Sequence, residues 1–331
     1  MQISLIQKCL NERIPDYAFN HTASQYPFVW KSKIINTIRK LVPQCYPSII
    51  EVTNVQVGDE HKLHREHIHC KIADCITMQA ILLRPFGDGV FPFILICPGR
   101  NAKIERLTGL TPFEFEGENI SEILSKKGFA TLTVDYGLVG AIDSAILNGR
   151  DELDLLSLAG SLLQLSPLAL VLNDLMSCLS WVERQEWYTH SGVGIFGRSI
   201  GGFIATYFAI IYEKTRCVAL SNCLCSYPSL FEVSFQASSV AAIPGILIYA
   251  DFPDLVSAIA PTPLHLQLSI NDPIYSYSEG KKVVEQVQSA FDCFNCSNNL
   301  DISCTNRYHG TDTDRVVDFF LSKYIIKHTG I

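Results

Sequence analysis

A serine held between glycines at a strand-to-helix turn, Gly197-Arg198-Ser199-Ile200-Gly201, restricts this chain's fold more than any other feature. Val193–Phe196 before it is a short apolar run with the pattern of a buried strand. Gly202 and an apolar helical stretch to Tyr212 follow at once. A turn this tight strains the serine backbone and lifts its hydroxyl above the sheet. Glycines two residues to either side are needed because a Cβ there would collide with the other arm of the turn. Gly202 lets the helix pack close to the strand. As a phosphate-binding turn the segment lacks the lysine of a P-loop and the spacing of a dinucleotide fingerprint. The plainer alternative is a turn whose glycines serve packing alone.

The rest of the chain fits around such a turn. Phe93–Cys97, Ala130–Val134, Cys217–Ser221 and Leu264–Ile270 read as further buried strands, with Leu300–Cys304 a weaker one. Helical patterns lie between them at Asn119–Lys127, Ala169–Arg184, Gly201–Tyr212, Ser276–Phe291 and Asp314–Tyr324. Alternation of this kind predicts an α/β fold with a mostly parallel central sheet and helices on both faces. Ligands then bind beyond the carboxyl ends of the strands. Residues 1–60 read as an N-terminal helical extension, with Val29, Ile34, Ile35, Ile38 and Leu41 at helix spacing and Pro43 as the stop. Residues 61–331 form the α/β domain, opening on a strand pair around Ile68–Ile72 and Ile76–Leu83. Two segments break the alternation, 137–167 and 223–252, and are expected to form a rim or lid over the site.

A serine hydroxyl becomes nucleophilic only when an oriented base takes its proton. After an elbow of this type the acid follows the serine, and the histidine follows the acid. Of the 9 histidines, His265, His309 and His328 come after Ser199. His265 sits inside a strand between Leu264 and Leu266, and His328 is near the C-terminus. His309 is in the loop Asn306–Gly310 between the last strand and the last helix, where a base must hang over the serine. Asp272 follows the strand Leu264–Ile270 on a loop stiffened by Pro273, and is the expected acid. Asp251 and Asp254 precede that strand and compete with it, whereas Asp312 and Asp314 read as helix caps. An oxyanion needs two backbone N–H donors. Ile200 supplies one, and the loop Pro98-Gly99-Arg100-Asn101 the other, through Arg100 with Asn101 as alternative.

These residues carry a resemblance to α/β-hydrolases, in the branch of acetyl xylan esterase-like and dienelactone hydrolase-like proteins. It runs from about Phe28 to Tyr324. Its most specific parts are the elbow Gly197–Gly202, Ile243-Pro244-Gly245-Ile246 through Asp254-Leu255, Ala260-Pro261-Thr262-Pro263-Leu264 leading to Asp272, and Tyr308-His309-Gly310. Phe115–Asp135, with Gly128-Phe129-Ala130 before a strand, is similar too. The branch usually has His-Gly where this chain has Pro98-Gly99, a departure at the second oxyanion donor. The resemblance implies carboxylic ester hydrolysis, with some relatives cleaving C–C bonds next to ketones.

Composition narrows the remaining classes. A net charge of −7 argues against a nucleic-acid partner. No stretch is long and apolar enough to span a bilayer. Met1–Pro15 carries Lys8, Glu12 and Arg13 and lacks the features of a signal peptide, so the 12 cysteines read as reduced thiols of a cytoplasmic protein. Cys293-Phe294-Asn295-Cys296 has neither the context of a redox pair nor a second pair to make a zinc site. His61 and His64 are expected in a charged loop and His67 and His69 on the exposed face of a strand, so no metal site is assigned. The expectation is a serine esterase without cofactor, acting on a small-molecule ester or acyl substrate. Its alternatives are a C–C hydrolase, acyltransferase or cyclase using the same three residues, and a silent binding protein on the same scaffold.

Overall fold

The computed structural model describes residues 2–42, 47–57, 63–73, 75–100, 102–110, 119–136, 158, 160, 162, 165–233 and 240–324. Its strands are β1 (Ile49–Val57), β2 (Leu63–Ile72), β3 (Cys75–Pro85), β4 (Phe91–Cys97), β5 (Ala130–Asp135), β6 (Tyr188–Arg198), β7 (Thr215–Ser221), β8 (Leu264–Ser269) and β9 (Leu300–Thr305). Its helices are α1 (Gln2–Glu12), α2 (His21–Gln25), α3 (Pro27–Leu41), α4 (Ile104–Leu107), α5 (Ile120–Lys126), α6 (Pro167–Val182), α7 (Ile200–Ile211), α8 (Tyr227–Val233), α9 (Ile246–Tyr249), α10 (Phe252–Ser257), α11 (Tyr277–Cys293) and α12 (Thr313–Lys323).

Among the described residues the strands form one sheet in the order β1-β2-β3-β5-β4-β6-β7-β8-β9. The pairs from β5 through β9 are parallel, and β1, β2 and β3 join as an antiparallel edge. Both faces are covered. Phe93 and Leu95 face a core shared with α3, α6, α7 and α11, while Ile94 and Ile96 face a second core shared with α5 and α12. This two-sided burial is why the strands read as unbroken apolar runs, and all seven residues of β4 are buried. The expected α/β-hydrolase architecture is therefore present, with its chemistry expected above the carboxyl ends of β4, β6, β8 and β9.

Several expectations need correction. The lead-in is helical only to Leu41, because Ile49–Val57 is a strand. Its β-branched residues pair with β2, Ile50 opposite Cys70 and Val55 opposite Glu66. His64 lies in β2 and not in a loop; it is buried, with Nε2 2.7 Å from Glu66 Oε1. Helix α3 buries Trp30, Ile34 and Ile38, while Val29 points outward. Within the expected rim segment 223–252, Tyr227 and Phe252 are core residues packed around Phe203 of α7. Most of segment 137–167, part of 223–252, and His61, Asn101 and His328 lie outside the described residues. Among the described residues no helix is long and apolar enough to cross a membrane, and no group of three His, Cys, Asp or Glu is placed to hold a metal ion.

Candidate active site

Strand β6 ends at Arg198, and Ser199 takes φ +54° and ψ −125° before α7 begins at Ile200. This left-handed conformation is costly for a residue with a Cβ. It is held by Ser199 N–H donating to Ser221 O (3.0 Å) and Gly202 N–H donating to Ser199 O (2.9 Å). The flanking glycines are required sterically: a Cβ on Gly197 would lie 2.6 Å from the Ala205 Cβ, and one on Gly201 would overlap the Cys97 carbonyl oxygen. Ile200 is the first residue of α7, so its N–H has no acceptor within the helix and is free in principle for an anion.

The loop after β4 passes against this elbow. A Cβ built on Gly99 would lie 3.4 Å from the Ser199 Cβ. Pro98 is held there by the Tyr136 hydroxyl, which donates to its carbonyl at 3.3 Å. Arg100 follows Gly99 with an exposed side chain. Both loops expected to supply oxyanion donors therefore border Ser199.

Asp272 follows β8 and His309 follows β9, and the two loops meet beyond the carboxyl ends of these parallel strands. Asp272 Oδ2 lies 2.8 Å from His309 Nδ1, and its Oδ1 accepts N–H bonds from Ile274 (2.8 Å) and Tyr275 (3.1 Å). An aspartate that accepts on both oxygens is an acceptor throughout, so Nδ1 carries the proton and Nε2 is left with its lone pair. The Asp272 side chain is 1% exposed and that of His309 21%. The histidine loop is tied back to the sheet. Arg198 Nη2 donates to His309 O (2.6 Å), Asn222 Nδ2 to Gly310 O (2.9 Å), and the Ser221 and Thr311 hydroxyls bond to each other at 3.0 Å.

Tyr275 packs against this pair. The Tyr275 ring stacks on the His309 imidazole, with centroids 5.7 Å apart and planes 22° apart. Burial pushes the ionisation of its hydroxyl well up. Ser199 makes no direct hydrogen bond to His309 in this structure, a bond that often tightens only with substrate bound. Burial also raises the Cys223 thiol near Asp272, and raises Cys97 at the end of β4 to about 12. Both thiols therefore stay protonated and inert beside the site.

The competing residues have other work. Asp251 and Asp254 form a capping box on α10, and burial is the main cause raising both carboxyls, Asp251 to about 6. Asp312 caps α12. His265 is fully buried in β8, bonded through Nδ1 to Asp301 (2.8 Å) and through Nε2 to Ser303 (3.2 Å). That Ser303–His265–Asp301 chain copies the order of a triad, yet its serine lies within β9 and not on an elbow. A cavity of about 600 Å³ between β1 and α6, lined by Pro47, Ile50, Leu172, Met176 and Trp181 among others, contains none of the candidate residues.

Tyr275, Arg198 and Asn222 were not singled out by the sequence. For Tyr275 a signal existed: Pro273 after Asp272 folds the loop back so that the N–H groups two and three residues on reach the same carboxylate. Arg198 and Asn222 act on carbonyls more than 80 residues away, which no local pattern records.

A comparison with curated proteins finds no match. Among solved structures, a Bacteroides fragilis protein provisionally assigned as an acetyl xylan esterase superposes with a TM-score of 0.75 at 18% identity, over 95% of this chain and 84% of its own. A methylesterase gives 0.62 at 15% identity, over 97% and 68%. A glucuronoyl esterase from Teredinibacter turnerae gives 0.62 at 11% identity, over 89% and 84%. At these identities the likeness concerns the fold. The family model described as the Abhydrolase family matches residues 2–315, and with nearly the whole length covered the chain belongs to that family.

Proposed function

We propose that this chain is a serine hydrolase that cleaves carboxylic esters of small or medium acyl groups, with Ser199 as nucleophile, His309 as base and Asp272 as the group that orients it. The observations that support this reading are the Asp272–His309 pair, 2.8 Å from carboxylate to Nδ1, and a serine held at φ +54° in a glycine-flanked elbow. The esterases among the structural neighbours support the choice of bond.

Ser199 Oγ attacks the acyl carbonyl as its proton passes to His309 Nε2. The negative charge moves to the carbonyl oxygen, where the N–H groups of Ile200 and Arg100 receive it. Asp272 stabilises the imidazolium through Nδ1–H. When the C–O bond to the alcohol breaks, His309 returns the proton to the leaving oxygen. Water then attacks the acyl-enzyme and gives a proton to His309, which passes it to Ser199 Oγ as the Oγ–acyl bond breaks and the acid leaves. The preference for shorter acyl groups rests on the sequence of the rim segments, which hold no long continuous apolar stretch of the kind that forms a lipase lid.

The test is a fluorophosphonate probe followed by peptide mass spectrometry, then a series of esters from acetyl to palmitoyl. An adduct on Ser199, absent in Ser199→Ala, and a kcat/KM that falls with acyl length are expected. An adduct on Ser303, or none on the folded chain, overturns the assignment of the nucleophile. A kcat/KM that climbs to palmitoyl esters overturns the acyl preference.

A further inference from the structure

Strand β8 is buried on both faces, but the two faces differ in character. Leu264, Leu266 and Leu268 enter the core shared with α7, while His265, Gln267 and Ser269 are polar yet no more than 3% exposed. The polar face looks toward α12, where His265 meets Phe319 and Gln267 meets Asp312. A buried amide is costly unless its bonding positions are filled, and Gln267 fills all of them. Its Oε1 accepts from Asp312 N–H (2.8 Å) and from the Ser221 hydroxyl (3.0 Å). Its Nε2 donates to Asp312 O (3.2 Å) and to Ser303 Oγ (3.4 Å). Two of these bonds grip both backbone groups of one residue, Asp312, three places beyond His309.

Proton counting fixes the direction of this network. Asp301 Oδ1 accepts from Arg315 Nη2 (3.0 Å) and its Oδ2 lies 2.8 Å from His265 Nδ1, so that nitrogen carries the proton. Burial is the main cause lowering the ionisation of His265, and the ring is neutral. Its Nε2 is therefore an acceptor and takes the Ser303 O–H at 3.2 Å. Ser303 Oγ keeps lone pairs for Gln267 Nε2. At the other end Ser221 gives its one proton to Gln267, so the Thr311 O–H donates to Ser221 Oγ (3.0 Å). A flipped amide would set N–H against N–H and oxygen against oxygen at Asp312. We propose that Gln267 is a positioning residue for His309, and that Asp301, His265 and Ser303 hold its amide in the orientation that grips Asp312; this rests on the serine hydrolase reading above. The second Ser–His–Asp chain is then a brace. Gln267 belongs to β8, the strand that leads to Asp272. Clamping the histidine loop to it refers both members of the Asp272–His309 pair to one strand. Such accuracy matters, because a misplacement of about 1 Å costs about a hundredfold in rate.

Gln267→Met keeps the length of the side chain and removes its hydrogen bonds. The primary readout is the second-order rate of fluorophosphonate labelling at Ser199, which needs no knowledge of the natural substrate. In that reaction the Oγ–P bond forms, the P–F bond breaks, fluoride leaves and the serine proton goes to His309. With folding checked by circular dichroism, labelling should slow about tenfold to a hundredfold. With an acetate ester kcat should fall and KM should hold, since Gln267 is fully buried and touches no substrate. The downfield proton resonance of His309 Nδ1–H, shared with Asp272, should broaden or vanish. Ser303→Ala leaves the amide in place and removes its brace, and should slow labelling about twofold to tenfold. The double variant should be no slower than Gln267→Met alone, because the serine acts through the glutamine. Trp30→Ala, in the core on the other face of the sheet, is the control for lost stability, and its folded fraction should label at the parental rate. Labelling of folded Gln267→Met within about twofold of the parent chain overturns the proposal. So does a slowed rate with the His309 resonance unchanged, since the loss then lies elsewhere. If Gln267→Met does not fold, Ser303→Ala decides, and a parental rate there overturns the proposal. Effects that multiply in the double variant overturn the brace. If the parent chain takes no adduct at Ser199, the hydrolase reading fails; a labelled parent beside unaffected variants removes the positioning role alone.

Discussion

Asp272 spends both of its oxygens in this structure, one on His309 and one on two backbone N–H groups of its own loop. Replacing it by asparagine keeps the size of the side chain but can offer an N–H to Nδ1. His309 is then stabilised with its proton on Nε2, where it cannot accept from a serine. In a comparable triad the same change lowers kcat about ten-thousand-fold. Asp272→Asn is expected to cost at least about a hundredfold here, measured as kcat on the best ester with folding checked by circular dichroism. Asp251→Asn and Asp254→Asn are the controls. Both carboxylates cap α10 and neither bonds to His309, so turnover should stay near normal. A collapse in either control beside normal turnover in Asp272→Asn would move the orienting acid to that position.

At the scale of elements, the cap of α10 joins parts of the chain that are distant in sequence. Asp251 Oδ1 accepts from Tyr227 N at the start of α8, and Asp254 Oδ1 accepts from Phe19 N in the N-terminal segment and from Gln286 of α11. Burial raises the Asp251 carboxyl from 3.8 to about 6. The folded chain therefore holds this proton more tightly than the unfolded chain. The resulting stabilisation is complete below about pH 4 and is lost as the pH rises through about 6, a difference of about 3 kcal/mol. Asp251→Asn keeps an oxygen for the two N–H groups and removes the charge. In urea titrations it should gain stability relative to the parent chain between pH 4 and pH 7; a difference that is the same at both pH values would refute this. The sequence made the principal elements legible because their signals are local. Buried parallel strands are apolar at nearly every position, and helices such as Tyr277–Cys293 carry their own period. It did not reveal β1, since Ile49–Val57 becomes a strand only by pairing with β2. The site was legible in the same proportion. Ser199, Asp272 and His309 follow from chain order and strand ends, whereas Arg198 and Asn222 depend on contacts across the sheet.

For the whole molecule, the open question is whether the N-terminal helices are an appendage or part of the folded unit. Their contacts favour the second. Asp16 N–H and Tyr17 N–H donate to Ile248 O (2.9 Å) and Tyr249 O (2.7 Å), carbonyls at the C-terminal end of α9 that have no partner within that helix. Lys31 Nζ donates to Ala260 O at 2.7 Å, and burial is the main cause lowering its ammonium to about 8. Trp30, 5% exposed, bonds through Nε1 to Tyr17 O (2.7 Å) and meets Phe19 edge-on, and together with Ile34 and Ile38 it belongs to the same core as Phe203 and Leu264. Truncating such a side chain leaves a cavity in a shared core and not at a domain boundary. Trp30→Ala should therefore cost about 3–5 kcal/mol, read as a lowered urea midpoint in a single transition monitored by circular dichroism and by near-ultraviolet signals together. The folded fraction should still label at Ser199, because Trp30 is not among the residues around that serine. An appendage would behave differently. It would melt first in a separate transition, leaving the main transition where it was, and that outcome would assign residues before β1 to an independent unit.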